Sequence, residues 1–132
     1  MGNIVDFLVD NMEATSEVKE LQLSERLKDF KFKIKPVNGK DFNKFKESCR
    51  TVKKKTVTFD DAKFNELLIL KSCVEPNFND TQFIEKAGAK TPEELINKVL
   101  KAGEIQELTN AITELSGFDQ EGIDEASEEA KN

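Results

Sequence analysis

The chain has 132 residues, ten of them phenylalanine and two cysteine, with no histidine, tryptophan or tyrosine and a net charge of −6. That length suits one domain with a core of ordinary size. Without histidine the usual general base and the commonest metal ligand are missing, two cysteines cannot complete a structural zinc site, and no glycine-rich phosphate loop occurs, so a non-enzyme with no cofactor or metal is expected.

No apolar run is long enough to span a bilayer. The start, MGNIVDFLVDNMEA, lacks a basic leader and carries Asp6 inside its apolar stretch, which argues against a signal peptide. Asp6 also stands where myristoylation needs Ser or Thr. Cys49 and Cys73 fall on apolar faces of predicted helices and read as buried free thiols of a reducing cytoplasm.

Residues 3 to 12 form one amphipathic helix, with Ile4, Phe7 and Leu8 on one side and Val5, Val9 and Met12 a step round. A looser segment, 13 to 17, follows, so residues 1–17 are expected as an arm that docks on its own domain, serves a partner or a second subunit, or frays, since short helices are marginal without tertiary contacts. Two period-two stretches come next. Leu21 and Leu23 alternate with Glu20 and Gln22, and Phe30, Phe32 and Ile34 alternate with Lys31, Lys33 and Lys35, predicting a two-stranded antiparallel hairpin. Pro36 closes the second strand and Val37-Asn38-Gly39 turns the chain.

A helix is predicted from about Lys40 to Thr51, with Phe42, Phe45 and Cys49 inward. Lys53-Lys54-Lys55 reads as a solvated loop and Thr56 to Phe59 as extended. Asp60 or Asp61 caps the next helix, whose broad apolar set of Phe64, Leu67, Leu68, Ile69, Leu70, Cys73 and Val74 marks it as the central one, ended by Pro76. Asp80 caps a short helix holding Phe83 and Ile84. Thr91-Pro92-Glu93-Glu94 is a capping box with proline at the first helical position, opening a helix with Leu95, Ile96, Val99 and Leu100 on one face. Ile105, Leu108, Ile112 and Leu115 recur through the last helix, and Gly117 supplies its stop. The acid pairs Asp60-Asp61 and Glu93-Glu94 sit at helix starts, where the dipole favours them.

The fold class is therefore α+β, mainly α: an N-terminal helix, a two-stranded hairpin, then a compact bundle of about five short helices. Residues 18–117 form the single globular domain, and 118–132 an acidic, disordered tail.

Charge is strongly segregated. Residues 1–25 carry −5, residues 26–59 carry +9 and residues 60–132 carry −10. The basic block with interleaved phenylalanines raises the alternative of a nucleic-acid-binding module. Strict alternation, however, sends the phenylalanines inward and the lysines outward, whereas a stacking platform needs both on one wet face. A solvated face or docking of an acidic surface fits better, and the acidic tail is itself available for a weak, salt-sensitive contact.

One ordered set of motifs is distinctive. Ser24-Glu25-Arg26-Leu27-Lys28-Asp29-Phe30 with the strand Phe32-Lys33-Ile34-Lys35, the capped helix at Thr91, and then Leu100, Gly103-Glu104, Leu108, Ile112, Glu114-Leu115 and Gly117-Phe118-Asp119 resemble the XkdN-like tail assembly chaperones of long-tailed phages. Residues 18 to 119 take part. Leu27 stands where that pattern has an aromatic, and the glycine of the following turn is missing.

The resemblance implies a tail assembly chaperone that binds the tape-measure protein and keeps it soluble while the tail tube polymerises. It implies work in the cytoplasm of a bacterial host and absence from the mature particle. The tail tube protein is a second partner under this reading. A frameshift-extended form of the chain is a third, since Ala130-Lys131-Asn132 is compatible with the slippery coding GCA-AAA-AAC. Partner contact is expected at Ile4, Phe7 and Leu8 and on the exposed side of the last two helices at Val99, Ile105, Leu108 and Ile112. The alternative within tail biology is a structural component that self-assembles and stays in the particle.

Overall fold

The computed structural model describes residues 3–118. Six helices, α1 (Ile4–Asp10), α2 (Gly39–Ser48), α3 (Asp61–Ser72), α4 (Thr81–Lys86), α5 (Pro92–Val99) and α6 (Ala102–Leu115), accompany five short strands. The strands are β1 (Lys19–Leu21), β2 (Phe32–Ile34), β3 (Arg50–Lys53), β4 (Thr56–Phe59) and β5 (Cys73–Glu75). The α+β, mainly helical class and the order of N-terminal helix, hairpin and five further helices follow the sequence reading.

Several details differ from it. The expected hairpin β1–β2 gains a third strand: β5 pairs with β2 on its other side, Ile34 opposite Cys73, giving the order β1-β2-β5. The central helix α3 accordingly ends at Ser72, and Cys73 and Val74 belong to the strand. Helix α2 stops at Ser48, with Cys49 as its C-cap, and the chain enters a second antiparallel hairpin, β3–β4. In it Lys53 pairs with Thr56, so Lys54-Lys55 is a tight two-residue turn rather than a loop, both residues having positive φ, 47° and 71°. Lastly, Phe30 precedes β2 and is 66% exposed, while Phe32 and Ile34 are buried as the alternation requires.

Helix ends follow local side-chain chemistry. Asn38, Asp60, Asp80 and Thr91 each accept a backbone N–H at the start of α2, α3, α4 and α5. Glu94, expected to return to the N-cap, instead accepts the N–H of Lys90 one residue earlier (3.0 Å). Helices α4 and α6 both close through a glycine at positive φ, Gly88 at 72° and Gly117 at 98°. Behind them the Ala89 N–H donates to the Ile84 carbonyl and the Phe118 N–H to the Thr113 carbonyl, the six-to-one bond of a Schellman ending.

The core lies around α3, which packs on α6, α5, α2 and β5. Ile34, Leu68, Ile69, Leu95, Ile96, Leu108 and Ile112 are fully buried there. A row of rings flanks it: Phe118 stacks on Phe42 (4.5 Å), Phe42 meets Phe64 edge-on (5.4 Å), and Phe64 meets Phe59 (5.4 Å). Phe118 therefore packs with the domain, one residue beyond the expected boundary. Both cysteines are buried and free. The segment 119–132, expected as a tail, lies outside the described residues.

Candidate docking surface

Both caps of helix α1 are made by its own flanking residues. The Asn3 Oδ1 accepts the Asp6 N–H (2.9 Å), and at the other end Asn11 donates its N–H and its Nδ2 to the Phe7 carbonyl. Asp6 and Asp10 occupy one side, and apolar residues cover the remaining arc of roughly 200°. None of them is buried: Ile4 is 73% exposed, Phe7 63%, Leu8 60% and Met12 64%, with Val5 and Val9 similar. A 3-10 turn, Met12–Ser16, replaces the looser segment expected there and leads to Val18, also exposed.

An exposed apolar face of this kind is unusual on a finished protein surface, which makes it the candidate contact surface. A seven-residue helix is also too short to persist in water on propensity alone. Of the expected contact residues, the structure thus leaves Ile4, Phe7 and Leu8 available together on one element. Val99 and Ile105 are half-buried against the core. Leu108 and Ile112 have no exposed surface, because α6 turns that face onto α3; they are core residues and are withdrawn from the docking set. Val5, Val9 and Met12 belong to the exposed face as well, and the helical periodicity already placed them there.

A second exposed aromatic, Phe30, borders an open groove lined also by Leu27, Phe32, Pro76, Lys31 and Lys33. It puts one ring on the wet basic face, against the sequence expectation that every phenylalanine of that block points inward.

The motif residues Ser24, Arg26 and Glu104 form a clasp that sequence spacing did not reveal. Arg26 Nε donates to Glu104 Oε2 (2.8 Å) and Nη2 to Oε1 (2.6 Å). Ser24 Oγ donates to Oε2 (2.6 Å) and the Lys101 N–H to Oε1 (2.7 Å). Arg26 Nη2 also reaches the Val99 carbonyl (2.9 Å). The Glu104 carboxylate is 5% exposed, and the Arg26 hydrogen bonds, helped by Ser24 and Lys101, hold its pKa at about 2 against the cost of burial. Every acceptor direction is occupied by the protein itself, so the clasp joins the 24–27 turn to the start of α6 and leaves no group for chemistry.

No helix among the described residues is long and apolar enough to cross a membrane. The family model for the phage XkdN-like tail assembly chaperone protein matches residues 4–131. The fold is similar to that in the crystal structure of the protein yqbn, at 21% identity and a TM-score of 0.64, covering 79% of this chain and 87% of that one. No curated protein matches by sequence.

Proposed function

Because this chain belongs to the phage XkdN-like tail assembly chaperone family, we propose that it binds the tape-measure protein and keeps it from aggregating while the tail tube forms around it. The observation that carries this reading is the wholly exposed apolar face of α1. A helix of this kind lays its apolar side into a hydrophobic groove or against another amphipathic helix, and both surfaces leave water together. The client needs no covalent change, only cover and release, so the role is non-enzymatic and is played in the host cytoplasm before the particle is complete. The tail tube protein is the second partner in this scheme, and a frameshift-extended form of the chain would carry the same arm.

Co-expression of the full chain with the tape-measure protein of its own tail locus tests the reading. Soluble tape-measure protein that co-purifies with the chain is expected, as is its loss when Phe7 and Leu8 are both changed to Ser. A tape-measure protein that stays insoluble beside the unchanged chain sinks the proposal. Rings formed by the chain alone would point to a structural component of the particle instead.

A further inference from the structure

We propose that α1 seats in a groove between two apolar helices of the client chain, its rims carrying lysine or arginine, rather than against one amphipathic helix. This rests on the reading of α1 as the arm that binds the tape-measure protein. The width of the apolar face decides it. At about 100° per residue, Phe7, Ile4, Leu8, Val5 and Val9 follow one another round the helix over roughly 200°. Their exposure lies between 59% and 73%. One packed neighbour covers a stripe of about 100°. A single helix laid along Ile4 and Leu8 would therefore leave Phe7 and Val9, at the two ends of the arc, in water. Two neighbours, one on either side, cover the whole arc, as a groove does. Every residue from Asn3 to Glu13 is exposed, so both flanks of α1 are accessible to such a partner.

The charge beside the arc selects the rims. Asp6 lies next to Val9 and Asp10 next to Phe7, each about 60° beyond an apolar edge, so each aspartate meets one rim of the groove. No Lys or Arg occurs before Lys19, and Glu13 and Glu17 add to the acids. Basic rims are therefore attracted and acidic ones repelled. The same charges argue against other covers. A lipid surface takes amphipathic helices whose polar side is rich in lysine and arginine, and α1 has neither. Further copies of α1 would gather like charges around one core.

Co-expression of the full chain with the tape-measure protein of its own tail locus provides the test, with a photoreactive benzophenone side chain in place of Phe7 or of Val9. Irradiation should cross-link the client from both positions, and peptide mapping should place the two cross-links on two separate segments of it. Capture from one position only, or both cross-links on one segment, would overturn the inference while leaving the chaperone function standing. A client that stays insoluble beside the unchanged chain would remove both. The full-length double variant Asp6→Asn with Asp10→Asn loses two exposed pairs. It should retain about threefold less client than the parent at low salt and the same amount at about 0.5 M salt. Equal retention at low salt would refute the basic rims. If the chain without client loses mass in sedimentation on Phe7→Ser, the face belongs to further copies and the inference is wrong.

Discussion

Arg26 and Glu104, 78 residues apart in sequence, meet through two parallel hydrogen bonds, Nε to Oε2 at 2.8 Å and Nη2 to Oε1 at 2.6 Å. The fork of the guanidinium matches the carboxylate, and Ser24 and Lys101 complete its shell. This clasp fixes the turn before β2 against the N-terminus of α6. Lys101, at the N-cap of α6, has no acceptor side chain, so Glu104 also supplies the returning half of a capping box.

The clasp should be visible in acid. Glu104 has a folded-state pKa of about 2 against 4.5 unperturbed, so the fold favours its ionised form. The stabilisation is complete above about pH 4.5 and fades as pH falls toward 2. Glu104→Gln should lose about 2 kcal/mol at pH 7, the range for hydrogen bonds to a charged group. Urea melts of both proteins between pH 6 and 3 should show that gap narrowing in acid. A gap constant with pH would mean that the carboxylate's charge does not act as described.

Ser72 is fully buried on α3, and its Oγ has no hydrogen-bond partner among the described residues. Its backbone carbonyl accepts from the Lys35 N–H (2.9 Å), which a change of side chain leaves alone. Ser72→Ala removes an unpaired hydroxyl and adds a better helix former, so denaturant melts should show a gain of about 0.5–1 kcal/mol. A loss would reveal a partner for the hydroxyl.

Lys54 and Lys55 both sit in the left-handed region at the tip of the β3–β4 hairpin. A two-residue turn of that shape suits Asn-Gly, and side chains bearing a Cβ pay for it in strain. Replacing the pair with Asn-Gly should stabilise the chain by about 1 kcal/mol, read as a rise in urea midpoint at unchanged slope.

Arm and core should separate cleanly. Leu108→Ala opens space in the packed centre and should cost about 2–5 kcal/mol. Phe7→Ser changes an exposed side chain and should stay within about 0.5 kcal/mol of the parent. Thermal melts check both. A large loss from Phe7→Ser would mean that α1 is docked in solution.

Cys73 should be nearly inert while folded. Burial pushes its thiol up to about 12, and Sγ–H donates to the Pro76 carbonyl (3.3 Å). Since the thiolate is the reacting form, alkylation at pH 8 should run at least about a hundredfold slower than for an exposed cysteine. It should become fast in denaturant. Mass spectrometry of Cys73 peptides gives the rates, and rapid labelling in the native state would contradict its burial.

The parts of this fold that were legible in sequence are those decided within a turn or two of chain. Thr91-Pro92, Asp80, Asp60 and Gly117 act on their own backbone, so helix ends could be placed from residue type. The illegible parts depend on distant partners. Cys73 and Val74 continue the apolar run of α3, and it is β2 across the sheet, with Ile34 opposite Cys73 and Lys33 opposite Glu75, that makes them a strand. The Lys54-Lys55 turn lacks the glycine or asparagine that would announce it. Phe30 fits the alternation but falls two residues before the strand, where no neighbour covers it. At the docking surface, periodicity grouped Leu108 with Ile112, and Ile4 with Leu8, equally well. Which stripe faces α3 and which faces water is a tertiary fact.

The position of α1 also sets an order of events. Chains emerge from the ribosome N-terminus first and fold as their contacts become available. The sheet waits for residue 75, and the clasp waits for residue 104. The caps of α1 at Asn3 and Asn11 are local and depend on neither. Its apolar face is therefore exposed independently of the sheet and the clasp, and losing either contact leaves that face as it is.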